Sequence, residues 1–189
     1  MDCSPAAWGR GEGEPPMFAG PREACGIFGI YCRGADVARL TFFGLFALQH
    51  RGQESAGIAT ADGAQMTVHT SMGLVTQAFN EDILAGLKGH IAIGHTRYST
   101  TGSSRICNAQ PIVVPGLWGE MALGHNGNIV NARALRARLQ AEGCTFATTT
   151  DSEIIALTLA RAPGTTWEER LQHLMRECQG AYSLVVMTK

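Results

Sequence analysis

A cysteine, an asparagine–glycine pair, an arginine and an aspartate are the residues of this 189-residue chain whose chemistry could combine. Cys25 opens the run Cys25-Gly26-Ile27-Phe28-Gly29-Ile30. A thiol titrates near pH ~8.5 and an α-amino group at roughly 7.7–8.0. A mature chain beginning at Cys25 would therefore carry a nucleophile and its proton acceptor on one residue. Asn126-Gly127, bracketed by Gly124 and Asn128, could offer a side-chain amide and a backbone N–H to a developing oxyanion, each such donor being worth about 10²–10³ in rate. Arg97 is a planar, bidentate cation and Asp151 a carboxylate. Together they could hold the α-carboxylate and α-ammonium of an amino acid. Each residue also has a plainer reading: Cys25 a small core thiol, Asn-Gly a turn, Arg97 half of a surface ion pair, and Asp151 the other half or a helix cap. His95 or His125 serving as base to Cys25 is a further arrangement.

For these residues to meet, the elements must deliver them at their ends. Residues 25–32 read as a buried strand whose glycines permit close backbone approach. Residues 37–50 read as a helix with an apolar face of Leu40, Phe43, Leu45 and Leu48. Short β-like runs at 55–60 and 65–70 flank Asp62-Gly63, a hairpin signal. Asn80 caps a short helix over Ile83, Leu84 and Leu87. Residues 90–95 form a strand leading into Thr96-Arg97-Tyr98-Ser99-Thr100. A second β pair, 112–114 with 120–123, delivers the cluster 124–128 at its end. Asn131 caps a helix that Gly143 stops, and Asp151 begins another. Residues 166–178 make a third, with Glu168 and Glu169 in its first turn, where the helix dipole favours acid. Residues 181–187 form a last strand. Hairpins interleaved with helices, without sustained βαβ alternation, predict a layered α+β architecture.

Composition narrows the function classes. At 45% hydrophobic and mean hydropathy +0.01 the chain can bury one ordinary core. A net charge of −1 leaves no footprint for nucleic acid or an anionic membrane. No run nears the ~18 apolar residues that span a bilayer, and residues 1–24 lack the apolar segment of a secretory signal. A small-molecule partner and a cytoplasmic location follow as expectations. Residues 1–24, with Gly9-Arg10-Gly11-Glu12-Gly13-Glu14-Pro15-Pro16, read as a leader rather than core; Met17 is an alternative start. The six cysteines form no C-x-x-C pair and the six histidines show no metal-ligand spacing, so reduced thiols and no metal are expected in this chain.

Five segments, in order, closely resemble the glutaminase domain of the amidophosphoribosyltransferases, glutamine-dependent amidotransferases of purine synthesis. They are Cys25-Gly26-Ile27-Phe28-Gly29, Leu48-Gln49-His50-Arg51-Gly52-Gln53-Glu54-Ser55-Ala56-Gly57, Gly94-His95-Thr96-Arg97-Tyr98-Ser99-Thr100, Asn108-Ala109-Gln110-Pro111 and Gly124-His125-Asn126-Gly127-Asn128. The resemblance runs from Cys25 to the end of the chain. It implies an amino-terminal-nucleophile hydrolase fold, a four-layer αββα sandwich. It implies a leader, 1–24, removed ahead of Cys25, then a glutamine amidotransferase domain, 25–189, truncated at its carboxyl end, with the phosphoribosyltransferase domain absent. By position, Cys25 attacks the glutamine side-chain amide, Asn126 and the Gly127 N–H hold the oxyanion, Arg97 with Thr100 holds the carboxylate, and Asp151 the ammonium. Arg51 and Gly52 line the nucleophile's surroundings. Ammonia would pass to phosphoribosyl pyrophosphate, giving phosphoribosylamine in the first committed step of de novo purine biosynthesis; this fragment alone would be a glutaminase. The missing half would bring Mg2+ and, as often in leader-bearing members, an iron–sulfur cluster, and the full-length protein would be a homo-oligomer.

One departure from the family pattern is Ala24, where leader-bearing relatives often have an acid; Glu23 lies one position earlier. Two alternatives stand beside this reading. One is another amidotransferase of the fold, of the glucosamine-phosphate synthase or asparagine synthetase type, against which the runs at 48–53 and 98–100 speak. The other is a non-catalytic glutamine-binding regulatory domain.

Overall fold

The computed structural model describes residues 25–98 and 104–189. Its elements run β1 (Gly26–Tyr31), α1 (Val37–Leu48), β2 (Ser55–Ala61), β3 (Met66–Met72), α2 (Val75–Ala78), α3 (Glu81–Gly86), β4 (Ile91–Arg97), β5 (Ile112–Gly116), β6 (Gly119–Ile129), α4 (Ala132–Ala141), α5 (Asp151–Arg161), α6 (Trp167–Glu177) and β7 (Gly180–Thr188). They build two antiparallel sheets, ordered β1-β4-β2-β3 and β5-β6-β7.

Strand alternation decides what each sheet face meets. In β2, Ala56 and Ile58 face outward, where they join Ala38 and Leu45 of α1, Val75 of α2 and Leu84 of α3 in one apolar cluster. Ala59 and Ala61 face inward and meet Ile93, Ala122 and Met187, so small residues line the seam between the sheets. On the far side, Leu123 and Ile129 of β6 pack under Leu135 of α4, Ile155 and Leu159 of α5 and Leu174 of α6. Helices, sheet, sheet, helices: this is the expected four-layer αββα sandwich.

The hairpin at Asp62-Gly63 forms because Asp62 Oδ1 accepts the N–H groups of Ala64 and Gln65, both at 2.8 Å, and Gly63 takes φ +97°. Asn80 caps α3 through the Ile83 N–H at 2.8 Å. Thr166 and Glu169 form a capping box on α6. Other expectations need correcting. α1 buries Val37, Ala38, Thr41 and Leu45, whereas Phe43 is 62% exposed and Leu40 is also exposed. Its small side is the one that fits the sheet: a Cβ on Gly44 would strike the Phe28 ring at 2.5 Å, and one on Gly94 would strike Thr41 at 2.5 Å. The helix ends at Leu48, and Gln49–Arg51 continue as a 3-10 turn. Asn131 precedes α4 but does not cap it with its side chain; it donates to the Glu177 carbonyl at 2.8 Å and accepts the Gln179 N–H at 3.1 Å, tying α6 to α4. β6 does not stop at Leu123 but runs through the 124–128 cluster to Ile129. α2, with four residues, is too short to leave a periodic pattern.

Candidate active site

Cys25 lies immediately before β1, and the register of β1 with β4 sets Gly26 opposite Thr96. The cysteine therefore faces the carboxyl end of β4. Its Sγ accepts the Tyr98 N–H at 3.4 Å, and the thiol can donate to the Tyr98 carbonyl oxygen at 3.5 Å. Arg51 Nε donates to the Cys25 carbonyl oxygen at 3.3 Å. Gly52 lets that turn cross β4 at backbone contact, since a Cβ there would lie 2.7 Å from the Arg97 carbonyl carbon. Burial pushes the Cys25 thiol above its ordinary value and outweighs the Tyr98 N–H and the Arg97 charge, which pull it down. At neutral pH the thiol is protonated, and its attack requires a proton acceptor.

Beside it lies a small, open cleft lined by Cys25, Arg97, Tyr98, Gly127 and Asp151, with Gln110, His125 and the amino end of α5 around them. Four elements supply the predicted residues. Arg97 ends β4, is 3% exposed, and is ion-paired with Glu54 just ahead of β2. Asp151 opens α5; its Oδ2 accepts the Ile129 N–H at 3.2 Å and its Oδ1 lies 3.8 Å from His125 Nδ1. Asn126 is half-buried and is not among the cleft-lining residues. Thr100 lies outside the described residues.

Asn126-Gly127 is not a turn. It lies within β6, paired with Ser183 and Tyr182 of β7. Gly127 takes φ +144°, and a Cβ there would lie 2.3 Å from the Ala181 carbonyl oxygen. β5 pairs β6 only as far as Leu123, and among the described residues no strand pairs the remainder of that edge. Side chains take its odd-numbered N–H groups instead: His125 donates to Gln110 Oε1 at 2.8 Å and Ile129 to Asp151. Gly127 lies between them, and by strand alternation its N–H points to the same edge. No described side chain takes it.

The two histidines serve the scaffold. His95 Nε2 lies 2.9 Å from the His125 carbonyl oxygen, and burial lowers its pKa to about 4. His125 Nδ1 lies 3.0 Å from Ser152 Oγ, and burial lowers its pKa against the opposing pull of Asp151. Neither hydrogen-bonds to the Cys25 thiol, whose contacts among the described residues are with Tyr98. The cysteine–histidine arrangement is therefore not formed. Glu54, Tyr98, Gln110 and Ser152 are site residues that the sequence reading did not single out. The available signal was that a buried arginine requires a carboxylate, and the β2–β4 pairing places Glu54 beside Arg97.

Among the described residues no group of three or more His, Cys, Asp or Glu could hold a metal ion, so Mg2+ or an iron–sulfur cluster has no fitting donor set in them. No described helix is long and apolar enough to cross a membrane.

Comparison with known proteins bears on the same residues. Residues 95–189, half of the chain, match the family described as glutamine amidotransferase domain. The amidophosphoribosyltransferases of Synechococcus elongatus and Synechocystis sp. are 52% and 55% identical over 170 and 171 residues, in each case covering 89% of this chain and 34% of the relative. The solved structure of glutamine phosphoribosylpyrophosphate amidotransferase from B. subtilis, complexed with ADP and GMP, aligns with a TM-score of 0.77 and 38% identity, over 86% of this chain and 35% of that one. The chain spans about a third of the length of the curated relatives it matches. With its family match beginning in β4 and covering the strand and helix that carry Gly127 and Asp151, the chain belongs to the glutamine amidotransferase domain family.

Proposed function

We propose that this chain is the glutaminase part of a cytoplasmic, homo-oligomeric amidophosphoribosyltransferase, with residues 1–24 removed ahead of Cys25. The observation that carries the proposal is the convergence of Cys25, Arg97, Gly127 and Asp151, from four elements, on one cleft. Cys25 Sγ attacks the side-chain amide carbon of glutamine while the thiol proton moves to the α-amino group of Cys25. The Gly127 N–H and the Asn126 amide hold the oxyanion. On collapse the C–N bond breaks, the proton passes to the leaving nitrogen, and ammonia departs from a thioester. Water then cleaves the thioester to glutamate and the free thiol. Arg97, with Thr100, holds the substrate carboxylate and Asp151 the ammonium; Arg51 orients Cys25 through its carbonyl, and Gly52 makes room for that turn. Ammonia then passes to phosphoribosyl pyrophosphate on another part of the longer protein, giving phosphoribosylamine and pyrophosphate.

The leader matters chemically. While residue 24 is attached, the Cys25 nitrogen is an amide and cannot accept a proton, and burial keeps the thiol protonated. Amino-terminal sequencing combined with a glutamine hydrolysis assay tests this. The expected result is activity only in protein that begins at Cys25, and none in Cys25→Ala. An active protein that retains residues 1–24 overturns the amino-terminal-base mechanism. A phosphoribosyltransferase segment encoded after Lys189 would support the acceptor.

A further inference from the structure

We infer that Asn108 and Gln110 are positioning residues that strap the amino end of α5 to β6, and so set the spacing between the Asp151 carboxylate and the Gly127 N–H. The inference rests on the roles proposed above for Asp151 and Gly127. Asn108 is fully buried. Its Nδ2 donates to Thr149 Oγ1 at 2.9 Å and its Oδ1 accepts the Thr149 N–H at 3.0 Å. Gln110 is also buried. Its Nε2 donates to Ser152 Oγ at 3.0 Å and its Oε1 accepts the His125 N–H at 2.8 Å. Thr149 and Ser152 bracket Asp151, and His125 stands two residues before Gly127. Both side-chain amides thus spend donor and acceptor on the backbone and hydroxyls that flank the two groups.

The strap is itself anchored. Its backbone closes a 3-10 turn, with the Asn108 N–H on the Arg105 carbonyl at 2.9 Å and the Ala109 N–H on the Ile106 carbonyl at 3.0 Å. It also lies against β2 at backbone contact, where a Cβ on Gly57 would come within 2.1 Å of the Gln110 carbonyl oxygen. One short segment therefore seats on the first sheet and reaches α5 and the second sheet. An amino-acid substrate held by Asp151 at one end and attacked at the other needs this separation kept. A misplacement of 1 Å can cost about 10²-fold in rate.

The test uses protein expressed as the full chain and confirmed by amino-terminal sequencing to begin at Cys25, with two electrophiles aimed at that residue. 6-Diazo-5-oxo-L-norleucine must occupy the amino-acid site to react; iodoacetamide needs only an accessible thiol. In Asn108→Ala and Gln110→Leu the norleucine analogue should inactivate roughly ten- to hundredfold more slowly than in the unsubstituted protein, with alkylation by iodoacetamide within about twofold. Asn108→Asp keeps the acceptor for the Thr149 N–H and should restore the analogue rate to within about threefold. If the larger changes do not fold, Ser152→Ala, which removes one bond of Gln110, should still slow the analogue by about threefold. An unchanged analogue rate, or an equal loss toward both electrophiles, overturns the positioning role. Analogue labelling of the unsubstituted protein that misses Cys25, or that glutamine does not protect, would instead overturn the glutaminase reading on which the inference rests.

Discussion

His95 makes the stability of this fold depend on pH below neutrality. The ring lies on the inner face of β4, fully buried, with Nε2 on the His125 carbonyl oxygen and Nδ1 without a hydrogen-bond partner among the described residues. Burial, aided by the charges of His125 and Arg97 and opposed by the bond to the His125 carbonyl, lowers its pKa to about 4, against about 6.5 in the unfolded chain. Below pH ~6.5 the unfolded chain binds a proton that the folded chain refuses, so stability present above that pH is lost as pH falls toward ~4. The full loss is about 3 kcal/mol, of which about 2.5 kcal/mol is gone by pH 4.5. That is a large share of the roughly 5–15 kcal/mol that holds a domain together. Urea denaturation at pH 7.5, 6.0 and 4.5, read from Trp118 and Trp167, whose ring centroids are 4.9 Å apart, compares the unsubstituted protein with His95→Gln. The stability difference between the two should shift by about 2.5 kcal/mol in favour of the variant across this range. A difference flat to within about 0.5 kcal/mol, the usual margin of additivity, would refute the argument.

Further outcomes follow at three positions, two at the site and one at the hairpin away from it. Gly127→Ala meets backbone rather than a side chain that could swing away, so its cost should be about 1–3 kcal/mol in urea denaturation, with glutamine hydrolysis reduced about 10²–10³-fold through the displaced N–H. Gly63→Ala, also at positive φ but at the hairpin tip, where a Cβ would meet only His90 Cε1 at 4.0 Å, should lose about 1–2 kcal/mol and leave the hydrolysis rate intact. Glu54→Ala removes the carboxylate paired with a buried arginine and should cost about 3–5 kcal/mol by the same denaturation. Glu54→Gln, which keeps an acceptor, should cost less; equal losses in the two variants would show that the acceptor contributes nothing.

What could be read from the sequence was what local chemistry encodes. Asp62-Gly63 turns because an aspartate and a glycine suffice for that turn, whatever surrounds them. Cys25, Arg97 and Asp151 could be named because their side chains can do something few others can. Of the apolar face expected for α1, Leu45 is buried as expected, whereas Leu40 and Phe43 are exposed, because the sheet takes the side with Ala38, Thr41 and Gly44, where the helix can approach closely. Asn126-Gly127 carries the local signature of a turn, and only its pairing with Ser183 and Tyr182, more than fifty positions on, keeps it in a strand. That pairing changes what the glycine contributes. In a turn, Gly127 would supply conformational freedom. In β6, beyond the reach of β5, its N–H stands on an edge that no strand among the described residues pairs, and the N–H groups on either side are taken by Gln110 and Asp151. The His125 carbonyl on the same edge is taken by His95. The donor proposed for the oxyanion is thus one that no described side chain takes, and its direction is set by the side chains that close the edge around it.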